Sequence, residues 1–241
     1  SIFFNGGHIQ KGDHSFLKYV THLEMESLPT GGWGYDHFPL SAKYAITLKD
    51  VEFVGMTGKF HTTWAEFGGF KHPNALRYEC AAMLAYGAKC CIGDQLHPNG
   101  NPNKDTYNRI GAAYKEVKAK EPWCDGVQSC AEVAILSEET LPRENTGGDH
   151  FGGRSFAVDT GVSRMLLERQ ILFDLVDFDS DWSSYRILIL PDIIRLDEQA
   201  ADKVQAFLDK GGKVMLTGCS GLRMDSDEYA LEGVGAYHGT A

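Results

Sequence analysis

Four short stretches of this sequence hold the residue types that cleave or bind sugars. His22, Glu24 and Glu26 alternate with apolar residues, and on a β-strand that spacing puts an imidazole and two carboxylates on one face. Two carboxyls on one face can divide acid and base work, because each raises the other's affinity for a proton. Lys59, His61, Trp64 and Glu66 follow a second apolar run; Asp94, Gln95 and His97 close a third; Asn5-Gly6-Gly7-His8 closes another. Trp33 and Tyr35 stand in the Gly-rich segment after Glu26. Aromatic faces stack on sugar C–H surfaces, and paired carboxyls perform glycoside hydrolysis. Each residue also has a plainer role open to it. Glu24 or Glu26 can bridge to a lysine or arginine, and His22, Glu24 and Glu26 form a three-residue metal set with no further ligand implied. Trp33 and Trp64 can anchor loops, His61 and His97 can be structural, Asp94 can cap a turn, and Glu66 can be solvated. The coincidence of four such strand ends says more than any one residue.

The elements that must position these groups alternate. Ser1–Asn5, Tyr19–Glu26, Glu52–Met56 and Lys89–Gly93 read as strands, with helices over Asn74–Tyr86 and Asp105–Lys120. The pattern restarts after Glu121-Pro122-Trp123. Ala131–Leu136, Arg186–Pro191 and Lys213–Thr217 read as strands, and Gly161–Leu172 and Asp197–Lys210 as helices, the second capped by Asp197 and stopped by Gly211-Gly212. Strands alternating with helices imply parallel βαβ units, whose active sites lie at the C-terminal strand ends. The boundary falls near residue 125, giving domains 1–125 and 126–241. The first has four strands where a barrel needs eight, and the second trails into polar sequence after Met224. The chain, which begins with Ser1 rather than Met, reads as a window on a longer protein.

Composition excludes several classes. A formal net charge of -10 leaves no basic footprint for nucleic acid or an anionic membrane. No run nears the ~20 apolar residues of a membrane span, and no signal peptide is visible. The six cysteines include no C-x-x-C pair, so they read as reduced and structural, in keeping with a cytoplasmic protein. Thr146–Gly153 lacks the G-K-[ST] ending of a phosphate loop and reads as a mobile loop. No cofactor or metal is expected.

Glu24-Met25-Glu26-Ser27-Leu28-Pro29-Thr30-Gly31-Gly32-Trp33-Gly34-Tyr35 resembles a segment of α-L-fucosidases of glycoside hydrolase family 29. There a glutamate, a candidate general acid/base, precedes Trp-Gly-Tyr by the interval that Glu24 keeps. Leu23 stands where that family usually has Trp, and Asn5 looks like the Asn ending an earlier fucosidase strand. Gly55–Trp64 and Gly93-Asp94-Gln95-Leu96-His97-Pro98 resemble fucosidase-related hydrolases of family 151, which share architecture with family 42 β-galactosidases. Residues 131–221 resemble the trimerisation domain that follows the barrel there, with its class I glutamine amidotransferase-like, flavodoxin-like fold. Met56-Thr57 stands near the place of the family 42 nucleophile.

The resemblance implies the C-terminal half of a (β/α)8 barrel joined to an amidotransferase-like α/β domain that serves assembly. It implies part of a retaining, exo-acting α-L-fucosidase-like enzyme. Glu24 is the candidate acid/base with Glu26 beside it, and Asn5, His8, His22, Trp33, Tyr35, His61, Trp64, Glu66, Asp94 and His97 are candidate substrate contacts. The nucleophile is expected upstream, so the chain alone is expected to be inactive and its parent a homo-oligomer, a trimer by the resemblance. A β-galactosidase-like hydrolase, a non-catalytic carbohydrate-binding or assembly module, and an amidotransferase-like enzyme built on Cys219 are the alternatives. Against the last, only His238 follows Cys219 as a base.

Overall fold

A computed structural model of the protein describes residues 3, 5–6, 8–141 and 157–234. Ser1, Ile2 and Phe4 of the first expected strand, Gly7, the Thr146–Gly153 loop and His238 lie outside the described residues. The chain forms two compact units, one of residues 1–9 and 14–129, the other of residues 10–13 and 130–241.

In the first unit, strands β1 (Asn5–Gly6), β2 (His22–Glu26), β3 (Glu52–Gly58) and β4 (Lys89–Gly93) lie side by side in chain order, all parallel. Helix α1 (His37–Ala45) connects β2 to β3, α2 (Pro73–Ala85) connects β3 to β4, and α3 (Lys104–Cys124) follows β4. The two faces of the sheet differ in chemistry. Leu23 and Met25 of β2 and Phe53 of β3 are buried, and a Cβ on Gly55 would strike Phe38 of α1 and Met83 of α2. That face is packed by helices. Leu76, Cys80 and Leu84 of α2 meet Ala113 and Val117 of α3, with Cys90 and Ile92 of β4 against them. The other face carries His22, Glu24 and Glu26, half-buried. In register, Asn5 pairs with Glu24, Glu24 with Val54, and Glu26 with Met56.

α1 is absent from the sequence reading. Six of its nine residues, Phe38, Leu40, Ser41, Ala42, Tyr44 and Ala45, are buried, so it lacks the polar stripe that marks an amphipathic helix. Pro39 sits in its first turn, where no N–H is needed. α3 runs on through Pro122 to Cys124, past the Lys120 at which the expected helix ends.

In the second unit, β5 (Val133–Leu136), β6 (Phe173–Val176), β7 (Ile187–Leu190) and β8 (Lys213–Leu216) form a parallel sheet in the order β6-β5-β7-β8. Reversal of direction about the first strand is the rule of doubly wound sheets. Helices α4 (Ala157–Glu168) and α5 (Glu198–Asp209) accompany it. Leu136, Val176, Leu188, Leu190, Val204 and Phe207 anchor its core. Asp197 caps α5, its side chain accepting from the Ala200 N–H at 2.8 Å, and Gly211 follows with φ +91°. α4 is displaced from the Gly161–Leu172 expectation. It ends at Glu168, Gln170 turns left-handed with φ 56°, and Ile171 and Leu172 lead exposed into β6. Among the described residues no helix is long and apolar enough to cross a membrane.

Candidate active site

Glu24 lies on the open face of β2, one position from the buried Leu23 and Met25. Burial lifts its carboxyl above the usual range, the charge of Glu26 adds to the rise, and His22 opposes it. No hydrogen bond among the described residues holds the Glu24 carboxyl, so it is proton-hungry and uncommitted. Cys91 of β4 feels it: burial and then the charge of Glu24 push that thiol up. His22 packs against Phe3, ring centroids 4.6 Å apart, and its Nδ1 meets Thr21 Oγ1 at 3.1 Å. At the N-terminal end of the same strands, Glu52 and Lys89 pair at 2.7 Å.

The C-terminal ends of β3 and β4 are roofed by Trp64. A Cβ on Gly58 would come within 2.9 Å of its ring and one on Gly93 within 2.8 Å, so the indole can lie there only because both strands end in glycine. Phe60 meets Trp64 edge-on at 5.5 Å, and the indole Nε1 is buried with no hydrogen-bond partner. The loop that delivers Trp64 is held from below. The buried Lys59 ammonium donates to the carbonyls of Phe67 at 2.9 Å, Gly69 at 3.3 Å and Glu66 at 3.4 Å.

The other expected contacts divide into engaged and available groups. Glu66 accepts from Thr62 N at 2.8 Å and Thr62 Oγ1 at 3.1 Å, and the Thr62 N–H holds its carboxyl below the usual range. It serves its own loop. His61 is exposed, and His97 meets Phe67 edge-on at 5.0 Å. Asp94 takes the Gln95 N–H on Oδ1 at 2.7 Å, while its Oδ2 is buried without a partner. Trp33 and His8 both contact His37, with centroids at 4.6 and 6.1 Å; His37 has no special spacing in the sequence that marks it. Asn5 is placed by backbone pairing beside Glu24. Tyr35 lies elsewhere, on the helix-packed face, edge-on to Tyr78 at 5.6 Å with its hydroxyl 3.5 Å from Glu79 Oε1.

Sequence reasoning passes over the buried network behind β3. Lys71 donates to Glu79 Oε2 at 2.6 Å and to Thr57 Oγ1 at 2.8 Å, and Thr57 Oγ1 donates to the same Glu79 oxygen at 2.6 Å. Burial pulls the Lys71 ammonium down, against the pull of Glu79. Three residues from one strand, one loop and one helix share no spacing that a sequence displays.

Residues 163–239 match the family model described as "Beta-galactosidase trimerisation domain". The chain is 36% identical to Beta-galactosidase GalA of Bacillus licheniformis over an alignment of 246 positions, covering 90% of this chain and 37% of that protein. Its fold resembles "Alpha-L-fucosidase isoenzyme 2 from Paenibacillus thiaminolyticus" with a TM-score of 0.84 and 55% identity, over 92% of this chain and 33% of that one. A β-galactosidase from Bacillus circulans sp. alkalophilus shares the fold at a TM-score of 0.66 and 17% identity, over 90% of this chain and 35% of that one. The chain thus spans about a third of the length of these three relatives, and its likenesses are to glycoside hydrolases.

Proposed function

We propose that this chain is part of a retaining, exo-acting α-L-fucosidase-like glycoside hydrolase in which Glu24 is the general acid/base. The observation that carries the reading is the Glu24 carboxyl itself: half-buried, lifted toward protonation by burial against the charge of His22, and free of hydrogen bonds among the described residues. An acid must hold its proton at working pH and release it to the leaving oxygen, and a raised carboxyl does this. In the second half of a retaining reaction the same carboxylate takes a proton from water. His22 and Glu26 tune Glu24. Trp64 offers an indole face and a donor, and Asp94 offers an acceptor, for sugar hydroxyls. Asn5, His8, Trp33, His61, Glu66 and His97 are the outer contacts. The 55% identity to a fucosidase supports the choice of sugar.

A retaining reaction needs a second carboxyl about 5 Å across the scissile bond. On this reading it comes from the part of the full-length protein that corresponds to the rest of the longer relatives, and residues 1–125 are four βα units of a (β/α)8 barrel. Residues 126–241 then form an amidotransferase-like assembly domain, supported by the trimerisation-domain match and the β6-β5-β7-β8 order. The full-length protein is accordingly a homo-oligomer, for which three copies is the first expectation.

The likeness to GalA favours a second reading, a β-galactosidase-like hydrolase. Against it, Met56, in register with Glu26, is apolar. A panel of nitrophenyl glycosides offered to the full-length protein separates the two. Turnover of the α-L-fucoside, and none of the β-galactoside, is expected; the reverse selects the second reading, and no turnover of any glycoside removes both. Light scattering tests assembly, and a strict monomer ends that part of the proposal.

A further inference from the structure

A groove between α1 and α2, beyond the end of β2, carries polar groups left unused among the described residues. Tyr35, Phe38, Tyr78 and Tyr86 contribute to its walls, and Ser27 and Glu79 also line it. Ser27 continues the alternation of Leu23 and Met25, so it lies on the helix-packed face, opposite to Glu24. Ser27 is 2% exposed and its hydroxyl has no partner. Glu79 is 5% exposed, and both short bonds it accepts fall on Oε2, from Thr57 and Lys71. Its Oε1 has only the long 3.5 Å approach of the Tyr35 hydroxyl. Above this polar end, Tyr35 and Tyr78 stand 46% and 61% exposed.

A buried hydroxyl and carboxylate oxygen without full partners are costly unless something fills the site. Water satisfies the polar end but leaves the tyrosine rings facing solvent. A cation gains little, because Lys71 already neutralises Glu79. A proline-rich peptide fits aromatic walls, but proline brings no N–H to Glu79 Oε1. The fitting ligand has C–H faces for the rings and hydroxyls for the floor. Glu79 Oε1 accepts from one hydroxyl, and Ser27 Oγ donates to or accepts from another.

We propose that this groove is a second saccharide site, taking one neutral pyranose unit on the sheet face opposite to Glu24. It stands on the groove's own geometry and does not need the hydrolase reading to hold. The test is site-resolved labelling of the full-length protein with diazirine-bearing alkyl glycosides of galactose, glucose, mannose and fucose, followed by peptide mapping. At least one is expected to label residues 27–39 or 73–86, and the matching free sugar to displace it. Ala82→Trp, which fills the groove, and Tyr78→Ala, which removes an exposed wall, are each expected to reduce that label about tenfold, as truncating or blocking an aromatic hot spot does. The proposal falls if no glycoside labels these segments or if free sugar leaves the label in place. It also falls if both variants label like the wild type, or if a proline-rich peptide displaces the label and sugar does not.

Discussion

Glu24 in the first unit and Asp159 in the second are both carboxyls that burial pushes toward the protonated form, but their surroundings put that push to different uses. Asp159, in the first turn of α4, accepts from Ser137 Oγ at 2.5 Å and from Glu138 N at 3.0 Å. These bonds stabilise the charged form and counter the rise. The second unit is furnished this way repeatedly. Asp177 Oδ1 accepts from Asp179 N, Ser180 N and Ser180 Oγ, and its Oδ2 from Gly12 N. Glu24, with its open face and no bond among the described residues, has nothing local to stabilise. A polar group whose bonds are complete holds a fold together; a buried one with capacity left over is where a ligand can be met.

The sharpest break of this comparison is Glu24→Gln. Turnover of glycosides with poor leaving groups is expected to fall about 10²- to 10⁴-fold, the usual contribution of acid/base catalysis, with a much smaller loss on activated aryl glycosides. Steady-state rates on both substrate types decide it, and equal losses move the role elsewhere. The pH behaviour carries a sign. A carboxyl raised in the folded state binds more protons than in the unfolded chain, so its contribution to stability is present at low pH and is lost as pH rises through the folded value. Glu24→Gln should therefore be more stable than wild type at neutral pH and lose that advantage in acid. Urea melts at the two pH values check it, and the alkaline limb of the wild-type rate profile should lie above the usual carboxylate range.

The next effect concerns the two buried lysine–glutamate pairs, one in each unit. Lys71–Glu79 closes behind β3, and Lys11–Glu139 ties residues 10–13 to the end of β5, 128 residues away in sequence. Removing one charge leaves the other buried without its counter-charge in the pair. Lys11→Met and Lys71→Met are each expected to cost about 3–5 kcal/mol in chemical denaturation, and replacing both partners by apolar residues to recover most of it. A loss within error for either single variant would show that the remaining glutamate reaches water.

The two units also differ in how much of them the sequence displays. β4 runs Lys89–Gly93 and α5 Glu198–Asp209, close to their expected bounds, because glycines, an Asp cap and clear periodicity mark them. β6 is hidden because its helix–strand junction is a left-handed Gln170 rather than a glycine, so Ile171 and Leu172 read as more helix. The assignment of residues 10–13 to the second unit is invisible because contacts distant in sequence, among them the Lys11–Glu139 ion pair and the bond from Gly12 N to Asp177, join them to it. At the candidate site, the face shared by His22, Glu24 and Glu26 follows from period two alone. The roof of Trp64 over Gly58 and Gly93 does not, since it depends on the path of the loop between β3 and α2, whose carbonyls Lys59 holds. Tyr35 looks like part of the same motif in sequence, yet the turn after Gly34, at φ 73°, carries it to the helix-packed face.

A smaller effect tests the idea that caps in the second unit are purely architectural. Asp197→Ala removes the bond to Ala200 N and should cost about 1 kcal/mol, with Asn retaining nearly all of the stability. Thermal melts read the loss, and glycoside turnover per folded molecule should not change.

The smallest effect expected is at Cys219, just past β8, where an amidotransferase would hold its nucleophile. The backbone there is tightly turned: Gly218 has φ +55°, and Cys219 N donates to Asp192 O at 2.6 Å. A sulfur nucleophile needs a neighbour that can take its proton. Arg195 lies beside Cys219, but that guanidinium is also bound to Asp227 at 2.9 Å, which raises its hold on its proton further. A group that is always charged orients and attracts; it cannot act as the base. His238 lies outside the described residues. Cys219→Ala is expected to leave glycoside turnover within about twofold of wild type and to remove no glutaminase activity, because surface changes away from a working site are nearly neutral. Iodoacetamide at neutral pH should label Cys219 no faster than the exposed Cys130. Selective, rapid labelling of Cys219 together with glutamine hydrolysis would turn the comparison around and make the second unit a site of chemistry.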